Sequence, residues 1–244
     1  MRYPPLVSGR LLRRYQRFLA DVTLDDGRQV TAHCPNTGSM KTCWQPDAPV
    51  QLSASTNPNR KLAWTLERID MGQGWIGVNT GLVNGVVAAG IRAGRIPALA
   101  GYGELRREVT LDWPGLPRSR LDLGLYQGPG ADTLVEIKNV TLLDGECLRF
   151  PDAVSERGRK HLDLLAEAHR RGWRSLILFA LNRPEGSCFG PAWDIDPAYA
   201  KRLQEVAAQG VEVLPIRLRH GDQDVEVAEQ VPANLNQPDQ IIVP

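Results

Sequence analysis

The chain lacks any apolar run of about eighteen residues, so no segment is expected to cross a membrane as a helix. It also lacks a continuous apolar stretch and a small-residue cleavage site behind its first arginines, so no secretory signal is expected. Cysteine is scarce: Cys34, Cys43, Cys147 and Cys188 are scattered with no C-x-x-C pair. That spacing points to neither a zinc site nor a disulfide framework, and reduced thiols in a cytoplasmic protein are expected. Charge of one sign is missing at each end. The first twenty residues hold Arg2, Arg10, Arg13, Arg14 and Arg17 but no acid, and from Gly221 onward acids occur without Lys or Arg. The basic front end is either an anion-binding surface, with Arg13, Arg14 and Arg17 as candidate DNA contacts, or a solvated strand face. No internal repeat is present.

What remains is ordinary for a globular protein: 244 residues, 42% hydrophobic and 23% charged, with a net charge of +1. Residues 1–80 read as β-rich. Leu11 to Leu24 and Gln29 to Cys34 flank the hairpin signal Asp25-Asp26-Gly27, and Pro49 to Ser53, Leu62 to Glu67 and Trp75 to Val78 follow as short strands. So many short strands predict a small closed barrel of the OB type, an architecture that binds nucleic acid through charged faces and aromatics. Residues 81–230 alternate differently: a helix over Gly81 to Gly94, strands at Glu104 to Leu111, Arg118 to Tyr126 and Thr133 to Val140, and a loop from Leu143 to Phe150. Asp152 is the expected cap of a helix from about Ala153 to Arg171. A strand at Ser175 to Leu181, a helix over Pro197 to Gln209 and a strand at Val211 to Arg217 complete an α/β sandwich with a central sheet. Residues 231–244 read as a tail or a draped segment.

The richest stretch is the strand pair around Gln127-Gly128-Pro129-Gly130. A strand has a period of two, so Glu136 and Lys138 share one face while Val135 and Ile137 share the other with Leu121, Leu123 and Leu125. Paired as a hairpin, Asp122 comes beside Glu136. Two carboxylates then suit a hard cation, with Mg²⁺ or Mn²⁺ the expected cofactor and the Ile137 carbonyl as a further ligand. Lys138 beside them is placed to steady phosphate charge or orient water. The competing reading is a plain cross-strand charge pair. Glu108 is a candidate extra acid. On the following helix, Val154, Gly158, His161, Leu165, Ala168 and Gly172 form one stripe that turns cationic toward its start. His161, with Arg157 and Lys160 beside it, is therefore a candidate phosphate-contacting group. His161 is expected to be the most enclosed of the three.

Asp122 with Glu136-Ile137-Lys138 resembles the signature of the PD-(D/E)xK nuclease superfamily, although Leu121 stands where the superfamily's proline is usual. Further segments resemble the sugar fermentation stimulation protein A (SfsA) family. They are Arg14 to Asp21, His33 to Gly38, Val78 to Thr80, Pro97 to Tyr102, Ser119 to Asp122, Val135 to Leu142 and Phe150 to Leu162. The resemblance implies an OB-like barrel joined to a PD-(D/E)xK nuclease-like α/β domain. It also implies a DNA-binding protein of low sequence specificity, linked to regulation of sugar metabolism. Two functions stand open: DNA binding alone, or metal-dependent hydrolysis of nucleic acid at Asp122, Glu136 and Lys138.

Overall fold

The computed structural model describes residues 1–237 of the chain. Of the expected 231–244 tail, residues 238–244 lie outside the described residues. Strands β1 (Leu6–Tyr15), β2 (Leu19–Leu24), β3 (Gln29–His33), β4 (Pro49–Ala54) and β5 (Trp64–Asp70) form the first unit, with β6 (Trp75–Gly77) added beside β5. β1 pairs with β2 and β4, β2 with β3, and β4 with β5; a parallel β3–β5 pairing closes the barrel, in the connectivity expected of an OB barrel. Alternation builds it: Ala20, Val22 and Leu24 point inward along β2 and meet Leu11, Val50, Leu52 and Leu66. The single strand expected from Leu11 to Leu24 is two strands. Gln16 and Arg17 both adopt left-handed conformations (φ 49° and 65°) and turn the chain without a glycine to mark the place.

The second unit opens with α1 (Thr80–Arg92), β7 (Glu104–Leu111), β8 (Ser119–Tyr126) and β9 (Thr133–Val140). The loop expected from Leu143 to Phe150 is a hairpin, β10 (Leu142–Asp144) and β11 (Cys147–Phe150). Then come α2 (Glu156–Arg170), β12 (Arg174–Leu181), β13 (Cys188–Pro191), α3 (Pro197–Ala208), β14 (Glu212–His220) and β15 (Val225–Gln230). The main sheet runs β15-β14-β12-β9-β8-β7, with β9, β12 and β14 parallel. Helices cover both of its faces, the crossovers α2 and α3 on one and α1 on the other. α1 brings Val83, Val86, Val87 and Ile91 to one side, and α2 and α3 bring Leu162, Leu165, Leu203 and Val206 to the other. β12 is accordingly apolar on both faces, with Ser175–Leu181 buried throughout.

Three expectations fail for tertiary reasons. α2 begins at Glu156 with Ser155 as its cap, because Asp152 is engaged elsewhere: its carboxylate accepts from the Ser39 backbone N–H at 2.7 Å. Val154, expected on the buried stripe, precedes the helix and is 69% exposed. The cysteines divide: Cys34 and Cys43 are free and buried, whereas Cys147 and Cys188 lie opposite each other on β11 and β13 and form a disulfide. Beyond β15, Val231 is buried and Ala233 bridges to Phe189, so this part of the segment is draped on β13.

The two units are joined through buried polar groups. The Arg68 guanidinium, 1% exposed, donates to the Gly221 and Asp222 carbonyls and stacks on Tyr3 and Trp75. Tyr3 Oη meets His220 Nδ1 at 2.6 Å, His220 Nε2 meets Asn182 Oδ1 at 2.6 Å, and Asn182 donates on to Asn139 Oδ1 at 2.8 Å. Gly77 passes so close that a Cβ there would lie 2.5 Å from the His220 ring. Among the described residues no helix is long and apolar enough to cross a membrane.

Candidate active site

β8 and β9 pair antiparallel through Leu123↔Val135, Gly124↔Leu134 and Leu125↔Thr133. The ladder stops one step later, where Asp122 would face Glu136. There the Asp122 side chain replaces the ladder bond: its Oδ2 accepts the Ile137 N–H at 2.7 Å. Its Oδ1 accepts from Asn84 Nδ2 of α1 at 2.8 Å. The strand changes face at this point. Leu123 and Leu125 join the α1-side core with Val135 and Ile137, but Leu121 joins the α2-side core, against the expectation of one apolar face for all three. In β7, opposite Asp122, Glu108 has φ 56° and pairs with Arg120 at 2.8 Å on the surface, so it is no third acid of the site.

Glu136 is buried at 3% exposure. Its Oε1 takes both basic neighbours: Lys138 Nζ lies 2.6 Å away and His161 Nδ1 is in direct contact. Lys138 Nζ and His161 Nδ1 are themselves 3.2 Å apart. Glu136 Oε2 is buried with no hydrogen-bond partner among the described residues. Burial pushes this carboxyl up, but the His161 and Lys138 contacts outweigh it and hold it below the usual carboxylate range. Asp122 goes the other way, raised by burial and then by the charge on Glu136. The two carboxylates therefore repel across the gap, while one oxygen of Glu136 is left uncompensated. Burying two carboxylates in this way is costly unless positive charge stands beside them, and Lys138 and His161 answer one oxygen of Glu136 alone. Among the described residues no group of three or more His, Cys, Asp or Glu is arranged to hold a metal ion by side chains alone.

The cationic candidates separate. His161 is the most enclosed of its trio; Arg157 is exposed with its Nε 3.5 Å from His161 Nε2, so both stand at the site. Lys160 is exposed and lines a groove with Leu116 and Ser119 on the outer side of α2. In the barrel, Arg13 pairs with Asp21 at 2.8 Å and stacks over Tyr15. Arg14 turns inward and donates to the Arg17, Asn36 and Gly38 carbonyls, which makes it a loop clamp. Arg17 is exposed at the hairpin tip beside exposed Phe18. Asn84 was absent from the sequence candidates; the available signal was a polar residue between Val83 and Val86 on an otherwise apolar helix.

Two family models match the chain: the SfsA N-terminal OB domain over residues 12–78 and the sugar fermentation stimulation protein RE domain over residues 81–224. A sugar fermentation stimulation protein homolog of Geobacter metallireducens is 50% identical over 236 residues, spanning 96% of this chain and 100% of that protein. The homolog of Geobacter sulfurreducens is 49% identical over 228 residues, spanning 93% and 96%. Among solved structures, Pyrococcus furiosus SfsA in complex with Ca²⁺ superposes with a TM-score of 0.84 at 26% identity, covering 96% of this chain and 98% of that one.

Proposed function

This chain belongs to the sugar fermentation stimulation protein (SfsA) family, and we propose that it binds DNA and hydrolyses phosphodiester bonds at Asp122, Glu136 and Lys138 with Mg²⁺ or Mn²⁺. The observation that carries this reading is the buried, unpartnered Oε2 of Glu136 beside an Asp122 carboxylate whose proton affinity is raised. The Pyrococcus furiosus relative described with Ca²⁺ supports a divalent cation in this fold. Asp122 and Glu136 would hold the ion, which supplies the positive charge that lets two carboxylates and a phosphate share one site and activates water for attack. Asn84 and the Ile137 N–H fix the Asp122 carboxylate in place. Lys138 brings an ammonium to the position of the scissile phosphate, where charge develops during displacement. Arg157, at the rim, is placed to take a neighbouring phosphate. Low sequence specificity follows if most of the affinity comes from such backbone contacts.

The test is cleavage of labelled single- and double-stranded DNA with Mg²⁺ or Mn²⁺, alongside Mn²⁺ titration calorimetry. The wild type should cut and bind the ion, and Asp122→Ala should do neither. Cleavage that survives Asp122→Ala refutes the site. A second reading, DNA binding that regulates sugar metabolism without cleavage, is favoured by the names its relatives carry. DNA binding with no cleavage in either protein would select it.

A further inference from the structure

A cleft of about 300 Å³ separates the barrel from the second unit. On the barrel side it is bounded by Asn36, Thr37 and Gly38, and on the other by Asn139, Phe150 and Val154. We propose that it receives one unpaired nucleotide of the DNA whose backbone lies at the Asp122–Glu136 site. The substrate is then a single strand, or a duplex with one base swung out. This deepens the hydrolase reading above and rests on it for the identity of the ligand.

Three elements build both places. α1 contributes Thr80 to the cleft and Asn84 to Asp122, about one helical turn or roughly 6 Å apart along the axis. β9 contributes Asn139 to the cleft, one residue beyond Lys138 and on the opposite face of the strand. The segment entering α2 contributes Val154 to the cleft, and the helix's first turn carries Arg157 to the site. The cleft and the acids are thus built on the same three elements, and the proposal places the nucleotide next to the one held at the acids in the cleft. A volume of 300 Å³ equals that of about ten waters, room for a base with its sugar.

The lining matches a base. Asn36 uses its Oδ1 on the Gly38 N–H, and Asn139 uses its Oδ1 on Asn182, so in each the amide NH₂ is the group left to donate. Amide donors of this kind recognise the ring nitrogens and carbonyl oxygens of an unstacked base, and an aromatic wall such as Phe150 favours its flat face. The one acid in the lining, Asp152, is already answered by donors from Ser39 and Met40. Arg14 ties the hairpin tip to the Asn36 and Gly38 carbonyls, which brings Arg17 and Phe18 to this side of the barrel. Phe18 is 45% exposed and Val154 69%, two apolar groups open to solvent on opposite sides of the interface.

The experiment uses the full chain with Ca²⁺ and a single-stranded oligodeoxynucleotide of about twelve nucleotides, a length that spans such sites. It carries 2-aminopurine at its centre and is measured alone and annealed to its complement. The comparison is a double variant, Thr37→Glu with Val154→Asp, both at exposed positions outside the acid site, with its thermal midpoint checked against the wild type. Wild type should bind the single strand with a change in 2-aminopurine fluorescence. The variant should lose that change and about tenfold in single-strand affinity, while its affinity for the duplex moves by less than about threefold. Equal losses on both DNA forms, or an unaltered signal in the variant, overturn the cleft and leave the metal-site reading intact. Selective loss on the single strand, in a protein that never cleaves DNA with Mg²⁺ or Mn²⁺, sinks hydrolysis and keeps the cleft. No binding of either form by the wild type overturns both.

Discussion

Acid should loosen the joint between the two units, and His220 is the group through which it acts. Burial, and then the Arg68 cation beside it, hold its imidazole down at about 3 against an ordinary 6.5. Below pH 6.5 the unfolded chain takes a proton on His220 that the folded chain refuses until about pH 3. The stability held by neutral His220 is therefore complete above 6.5 and falls as the pH drops through that window. Each pH unit is worth about 1.4 kcal/mol, so moving from pH 7 to pH 4.5 removes roughly 2–3 kcal/mol through this residue. At about 2–4 °C per kcal/mol for a chain of this size, the thermal midpoint should fall by roughly 5–10 °C from His220 alone. Other groups titrate over the same range, so the assay is a difference. Wild type and His220→Gln are melted at pH 7 and pH 4.5, followed by circular dichroism. Gln keeps an acceptor for Tyr3 and a donor for Asn182 but cannot take the proton. Its midpoint at pH 7 should be slightly lower, and its drop between the two pH values smaller by that 5–10 °C. Identical drops in the two proteins would refute the assignment.

The other expectations concern the barrel loops, the disulfide and the cleft rim. Arg14→Ala removes a charged donor from three carbonyls and should cost about 2–4 kcal/mol in chemical denaturation, whereas Arg17→Ala should leave stability within about 0.5 kcal/mol and lower the salt slope of DNA binding by about one. A full-sized salt slope in Arg17→Ala would remove that arginine from the DNA surface. The Cys147–Cys188 bond closes a separation of 41 residues, so Cys188→Ala should lose about 4 kcal/mol on the loop-entropy estimate; an unchanged denaturation midpoint after reduction of the wild type would contradict this. Arg157→Ala should weaken DNA binding, or slow turnover, with stability within about 0.5 kcal/mol, since its side chain is exposed; ready unfolding with normal DNA affinity would make it a structural partner instead.

The β8–β9 hairpin was legible because each of its signals is local: alternation, a Gly-Pro-Gly turn, and acids placed by a period of two. The barrel was legible for the same reason. What escaped depends on partners distant in the chain. Asp152 has the chemistry of a helix cap, but Ser39 and Met40 claim its carboxylate, so Ser155 caps α2. The Gln16–Arg17 turn carries no glycine, and its geometry is enforced partly by Arg14 reaching the Arg17 carbonyl. The face change at Asp122, which sends Leu121 to the opposite core, arises from a side chain taking over a ladder bond. Asn84 has meaning only once α1 is laid against β8. The disulfide needed β11 and β13 to be found first, and both are four-residue strands with little pattern to read.

The Arg68 clamp also sets an order of events during synthesis. The barrel's strands are complete by Gly77, yet the carbonyls that receive the Arg68 guanidinium belong to residues 153 and 154 positions later. At about 5–20 residues per second, roughly 8–30 seconds pass between translation of the arginine and translation of its acceptors. Throughout that interval Arg68 has Gln51 at 2.6 Å and the Trp75 ring as partners inside the barrel, and the rest of its guanidinium faces water. The barrel is therefore expected to close on its own contacts first, and the seam between the units last. Nascent chains stalled near residue 150 should yield a protease-resistant barrel, and resistance at the seam should appear only after residues 220–224 have left the exit tunnel. A barrel still degraded at the earlier stall would mean that the distant carbonyls, and not the barrel's own closure, hold it folded.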